Sequence, residues 1–216
     1  MLTEGVADFF RKTRVDAQLG ARVIATDSYQ GLAELSRQAG APVAAGELRS
    51  AFVQRNAGVL VQQMMRRGVV APYALPPVPA LDQELWSRVL AMDLNPVVGQ
   101  LVTYRNWTAE RATAAERRYR RFFYLKAALP EGNASPTPEV DEFWHQHIIN
   151  TRAYEPDCLR VAGRFLHHTF LSPDDPAEAR EIESVWFTTW VCYEDLFEEP
   201  YEETVGAALL GRWPKA

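Results

Sequence analysis

Several things are scarce in this sequence, and each scarcity narrows what the chain can be. It has two cysteines in 216 residues, Cys158 and Cys192. Two thiols do not make a disulfide framework, so a hydrophobic core must hold the fold. Both are expected as free thiols, at least one of them buried. No apolar run is long enough to cross a bilayer. The opening stretch MLTEGVADFFRKTRVD lacks the basic and apolar regions of a signal peptide, so a cytoplasmic location is expected. Positive charge is not in excess: 23 Lys and Arg face 28 Asp and Glu, a formal net charge of −5. That argues against nucleic acid as a partner, and nothing points to a membrane. Internal repeats are absent. Histidine is rare as well: there are four, and all lie in the stretch EVDEFWHQHIINTRAYEPDCLRVAGRFLHH, from Glu139 to His168.

What is abundant is aromatic and helical. Six Trp, eight Tyr and ten Phe supply bulky surface for a core. Four prolines between Pro72 and Pro79 cannot sit inside a helix and read as a stiff linker over residues 69–80. The expected architecture is all-α, with a small helical domain over residues 1–68 and a larger helical bundle over 81–216. In the first, Val6, Phe9, Phe10 and Thr13 share a helix face. Ser28 is placed to cap the helix YQGLAELSRQA, with Gly40 just past its end. A further helix carries Leu48, Phe52, Val59, Leu60 and Met64 and stops at Gly68. In the second, Leu81, Leu85, Val89 and Leu90 form a stripe that Asn95-Pro96 breaks. Thr108 caps a long basic helix whose inner face is Ala112, Ala115, Tyr119, Phe122 and Phe123. Near Pro176 another helix begins, acidic along its length, with Ile182, Trp186, Thr189, Tyr193 and Phe197 as its stripe. The basic and acidic helices are natural neighbours.

The histidine window carries the candidate chemistry. Thr137 followed by Pro138 is a helix start. A helix from there puts Asp141 and His145 on one face, at i and i+4, and Phe143 with His147 on another. His145 and His147 therefore point nearly opposite ways, which weighs against a simple H-x-H clamp. A second helix is expected from Pro156 at its first position to Gly163. Asp157 and Cys158 would then lie in its first turn, where the helix dipole lowers the pKa of an accessible thiol. His167 and His168 follow, and can fold back on His145 or Asp141.

Three readings of this window compete. In one, Asp141, His145, His147 and His168 hold a divalent transition metal, zinc or iron, with Cys158 a weaker candidate. His145 and His168 are then ligands, Asp141 a ligand or orienter, and His147 a third ligand or an acid/base; Asp141 and His147 are the candidate catalytic residues. In another, the cluster is structural, its histidines satisfied by backbone carbonyls and the Trp144 indole pinning the core. In the third, Cys158 is a nucleophile beside a histidine base.

Two family resemblances bear on the choice. FFRKTRVDAQLGARV and GLAELSRQAGAPVAAGELRSAF resemble the Nif11-like leader domain, over about residues 3–55. That domain stands at the front of many precursors of ribosomally made, modified peptides. Where that family has a short core peptide, this chain continues into a folded region, which implies a leader-like module fused to another domain. YRRFFYLKAALP, SPTPEVDEFWHQHIINTRAYEPDC and GRFLHHTF resemble the glycine-rich domain-containing-protein-like family, over about residues 112–214. Arg120, Phe122, Tyr124 and Leu125 match its first block. Val140, Asp141, Trp144, His145, His147, Thr151 and Tyr154 match the second, and His167 and His168 the third. The resemblance implies a defined domain around the histidines and no particular reaction. Together they suggest a metal-binding protein of a ribosomal-peptide pathway that modifies a peptide or docks a partner enzyme. The alternatives are a non-enzymatic scaffold with a structural histidine cluster, and an unusual precursor modified in its own tail, LLGRWPKA.

Overall fold

A computed structural model describes residues 3–53, 80–169, 174 and 176–201. Among these, every regular element is helical. Val59, Leu60, Met64, Gly68, the linker prolines and the LLGRWPKA tail lie outside the described residues. The chain forms two compact units. One holds the described residues 3–53 and 197–201, the other those from 80 to 196.

The first unit is built from short, well-capped helices: α1 (Glu4–Val15), α2 (Ala17–Ala25), α3 (Tyr29–Gln38) and α4, helical over described residues 45–53. Asp16 ends α1, and its carboxylate accepts from the Gln18 and Leu19 amides at 3.0 Å to start α2. Ser28 Oγ accepts from the Gly31 amide at 3.1 Å. Gly40 takes φ +66° after α3, as a left-handed cap requires. Lys12 Nζ donates to the Ala39 and Gly40 carbonyls at 3.0 Å, tying α1 to that cap. Val6, Phe9, Phe10, Leu32, Leu48 and Phe52 are buried together as the core. Residues 197–201 also belong here: the Tyr29 hydroxyl donates to the Glu198 carbonyl at 2.6 Å, Arg49 pairs with the Glu198 carboxylate, and Tyr201 is buried.

The second unit is organised around its longest basic helix. Its elements are α5 (Gln83–Leu90), α6 (Asn95–Tyr104), α7 (Ala109–Ala128), a 3-10 turn (Pro130–Gly132), α8 (Pro138–Ile149), α9 (Thr151–Ala162) and α10 (Pro176–Phe197). α7 packs against α5, α6, α8 and α9. Thr108 caps it by accepting from the Arg111 amide at 3.1 Å. Ala112, Ala115, Tyr119, Phe122 and Phe123 are wholly buried on its inner face. Its basic side chains bind neighbouring elements. Arg120 donates to the Val89 carbonyl at 2.8 Å and the Met92 carbonyl at 2.9 Å, closing the C-terminal end of α5. Arg111 and Arg118 pair with Glu139 of α8 at 2.8 and 3.1 Å, and Arg121 reaches the Tyr193 hydroxyl of α10 at 3.3 Å.

Two helix boundaries differ from the sequence reading. Asn95-Pro96 starts α6 and does not merely break what precedes it. Asp93 accepts from the Asn95 amide at 3.1 Å. Pro96 sits in the first turn of α6, where its missing N–H costs nothing. α9 begins at Thr151, a single residue after α8, so Pro156 lies inside it. That proline removes one i→i−4 bond. Burial of Tyr154, Cys158 and Val161 along the same helix offsets the loss.

Candidate metal centre

The site is assembled on α8 and closed by the chain that leaves α9. Thr137 Oγ1 accepts from the Val140 amide at 3.3 Å, and Pro138 opens the helix, so the phase of α8 is fixed from its first turn. That phase points Asp141 and His145 to one side, and turns Val140, Phe143, Trp144 and His147 into the core. Beyond α9, Gly163 takes φ +68° and reverses the chain. The Trp144 indole N–H donates to the Tyr154 hydroxyl at 3.0 Å, and that hydroxyl donates to the Leu166 carbonyl. All three residues are buried. The strand of chain carrying His168 is thereby pinned to α8 two residues upstream of the histidine.

His168 lands between two rings. Its centroid is 4.6 Å from Trp144 and 4.6 Å from His145. Its Nε2 is 2.9 Å from Asp141 Oδ1, while His145 Nδ1 is 3.3 Å from Asp141 Oδ2. One ligand atom from each of Asp141, His145 and His168 lies within 4.8 Å of the others. These separations are near those a shared ion requires, the two short contacts being to different Asp141 oxygens. Bonds of about 2.0–2.2 Å give donor-to-donor edges of about 3.3–3.6 Å around a tetrahedral ion and about 2.8–3.1 Å around an octahedral one. Two imidazoles and one carboxylate suit zinc or ferrous iron, and three protein donors leave a coordination position for another ligand. The group can therefore hold a metal ion. It also borders a cavity of about 330 Å³, whose walls include Lys126, Ser135, Asp141, Trp144, His168 and Glu181.

The structure does not bring every expected residue to this point. His147 is wholly buried on the opposite side of α8, the result of its two-residue offset from His145. Its Nδ1 hydrogen-bonds the Tyr119 hydroxyl at 2.8 Å. Its Nε2 lies 3.2 Å from Asp157 Oδ2, an ion-pair distance whose angle falls short of a hydrogen bond. Asp157 in turn pairs with Arg160. His147 is thus a member of a buried Tyr119–His147–Asp157 network, not a third ligand or an acid/base at the centre. Burial first, and the acidic groups nearby second, hold the Tyr119 phenol well above its usual pKa, so it stays a neutral donor or acceptor.

Cys158 is also corrected. With α9 starting at Thr151, the thiol sits mid-helix, away from the dipole's positive end. It is fully buried, and burial pushes its pKa up. A thiol so placed is a poor nucleophile and a poor metal ligand. His167 is exposed and turned toward Phe165, with ring centroids 4.8 Å apart.

Sequence reasoning missed Tyr119, Tyr154 and Lys126 as parts of this region. A signal existed for the tyrosines, because a buried phenol needs a partner for its hydroxyl. Which partner it finds depends on how α7, α8 and α9 cross.

The chain is similar to the family described as UCP032817-like over residues 93–197. That span is just under half of the sequence and runs from the residues before α6 to the end of α10. It includes Asp141, His145 and His168. No curated protein and no solved structure matches at a significant level.

Proposed function

We propose that this chain is a metal-binding protein of a ribosomal-peptide modification pathway. Asp141, His145 and His168 hold a divalent transition metal, zinc or iron, in the wall of the adjoining cavity. The observation that carries the metal is the convergence of two imidazoles and one carboxylate at ligand-to-ligand distances, two of the three facing the cavity. The pathway rests on the leader-like residues near the N-terminus, and a peptide or a partner enzyme is the matching partner. Bound there, the metal would supply a Lewis acid or an activated water to a group entering the cavity. The chain's own contribution is orientation. The Trp144 ring packs against His168, tilted by 34° to it, and Asp141 contacts both imidazoles through its two oxygens.

One observation favours a second, non-enzymatic reading. Each Asp141 oxygen already contacts one imidazole, so the carboxylate has partners without an ion. Elemental analysis of protein purified without chelators separates the two. The metal reading predicts about one zinc or iron per chain in the parent, and loss of it in His145→Ala and His168→Ala. Metal-free parent protein that also fails to take up added zinc or ferrous iron supports the scaffold reading.

A further inference from the structure

The cavity beside the metal group has a second polar wall that the metal does not use. Lys126, near the C-terminal end of α7, lines it. The ammonium is partly buried and lies 5.4 Å from the centre of the Trp144 ring, the same indole that carries His168 at 4.6 Å. It makes no hydrogen bond or ion pair with any described residue. Arg164, exposed and outside the cavity wall, also reaches the 3-10 turn. Gly132 lies between the two cations at φ +70°. A Cβ there would meet Arg164 Nη2 at 3.4 Å and Lys126 Cε at 3.8 Å. Arg164 likewise makes no ion pair with any described residue.

Lys126 and Arg164 repel one another, and the two carboxylates that line the same cavity, Asp141 and Glu181, form no ion pair with Lys126. Repulsion from Arg164 adds to desolvation in lowering the Lys126 pKa. A ligand anion would relieve it. The remaining cavity wall offers Ser135 and Asn133 as hydrogen-bonding groups, Ile182 and Val185 as apolar surface, and the carboxylates of Asp141 and Glu181 away from the ammonium's own contacts. A volume of about 330 Å³ suits a ligand of amino-acid size, or the end of a longer chain.

We infer that the cavity takes a carboxylate-bearing ligand, whose anion sits on Lys126 with Arg164 behind it and whose other end extends toward Asp141 and His168. This rests on the proposed function only in treating the cavity as the ligand site; the anion subsite does not require the metal. The carboxylate can come from the C-terminus of a peptide or from a free dicarboxylate, and the test distinguishes them.

Calorimetric titration of the full chain with three probes decides it: acetyl-Ala-Ala with a free carboxylate, its C-terminal amide, and succinate. Each is run with zinc and in chelator. The expected result is saturable binding of at least one carboxylate probe, none of the amide, and at least tenfold weaker binding by Lys126→Met. Arg164→Met should weaken it by a smaller factor, about threefold or more. Preference for the dipeptide assigns a peptide terminus, and preference for succinate a small dicarboxylate. Carboxylate binding should persist in chelator, so failure of the metal reading leaves this result standing. Circular dichroism confirms that each variant is folded. The inference is overturned if neither carboxylate binds the folded parent in either condition. It is also overturned if the amide binds as well as the acid, or if a folded Lys126→Met binds like the parent.

Discussion

Replacing Tyr119 with Phe isolates one hydroxyl and tests the division of labour between the two sides of α8. The ring packing is retained: Tyr119 lies 4.9 Å from Phe143 and 5.7 Å from Phe123, ring to ring, and Phe occupies the same space. What is lost is the 2.8 Å contact with His147 Nδ1. Both residues are wholly buried, so water does not replace the hydroxyl. A buried polar atom left without a partner costs about 1–3 kcal/mol. Taking about 2 kcal/mol, and about 2–4 °C per kcal/mol for a chain of this size, the melting midpoint should fall by about 4–8 °C. Against a total stability of about 5–15 kcal/mol the variant still folds. The assay is thermal unfolding by circular dichroism in chelator, paired with elemental analysis after zinc loading. The expected result is a lowered midpoint with unchanged zinc content. A midpoint within about 1 °C of the parent, or a loss of zinc, refutes the assignment of His147 to a structural network.

Other outcomes follow from the same geometry. Tyr154→Phe removes the hydroxyl that joins Trp144 to the Leu166 carbonyl. It should weaken zinc binding by about tenfold, the scale seen when a group that positions a ligand is lost. Competition with a chromophoric chelator measures this, and an unchanged affinity would mean that His168 is placed by other contacts. Arg120→Met removes charged donors from the Val89 and Met92 carbonyls and should cost about 1.5–3 kcal/mol in urea unfolding, without touching metal content. Burial raises the Tyr119, Tyr154, Cys158 and Cys192 pKa values, the last from 9.0 to about 11. A group so raised keeps its proton in the folded state after the unfolded chain has released it. Its contribution is fully present below the unfolded pKa and is lost as pH rises through the folded one. For Cys192 the urea midpoint should hold to about pH 8.5 and decline between pH 9.0 and about 11, and a midpoint rising over that range would contradict the burial.

Much of the helical plan is visible in the sequence because it is local. Ser28, Thr108 and Thr137 each cap a helix through an amide three residues on, and Gly40 and Gly163 end helices by their positive φ. The separation of His145 from His147 is equally local, a consequence of 3.6 residues per turn. What stays hidden depends on packing between distant segments. Nothing near His147 announces Tyr119 or Asp157, since their contact is set by how α7 and α9 cross α8. Pro96 and Pro156 mislead in opposite directions. The first starts a helix where a break is expected, and the second sits within a helix where a start is expected. The convergence of Lys126 and Arg164 on Gly132 requires the 3-10 turn between α7 and α8, which composition alone does not reveal. Residues 197–201 join the first unit through Tyr29 and Arg49, partners far away in the chain.

The proposed centre has Asp141, His145 and His168 holding one metal ion together. Crystals of zinc-loaded protein, measured across the zinc absorption edge, locate the ion without reference to activity. The expected result is one strong anomalous peak about 2.0–2.2 Å from His145 Nδ1, His168 Nε2 and an Asp141 carboxylate oxygen. A peak centred elsewhere, or none at full zinc saturation, contradicts it.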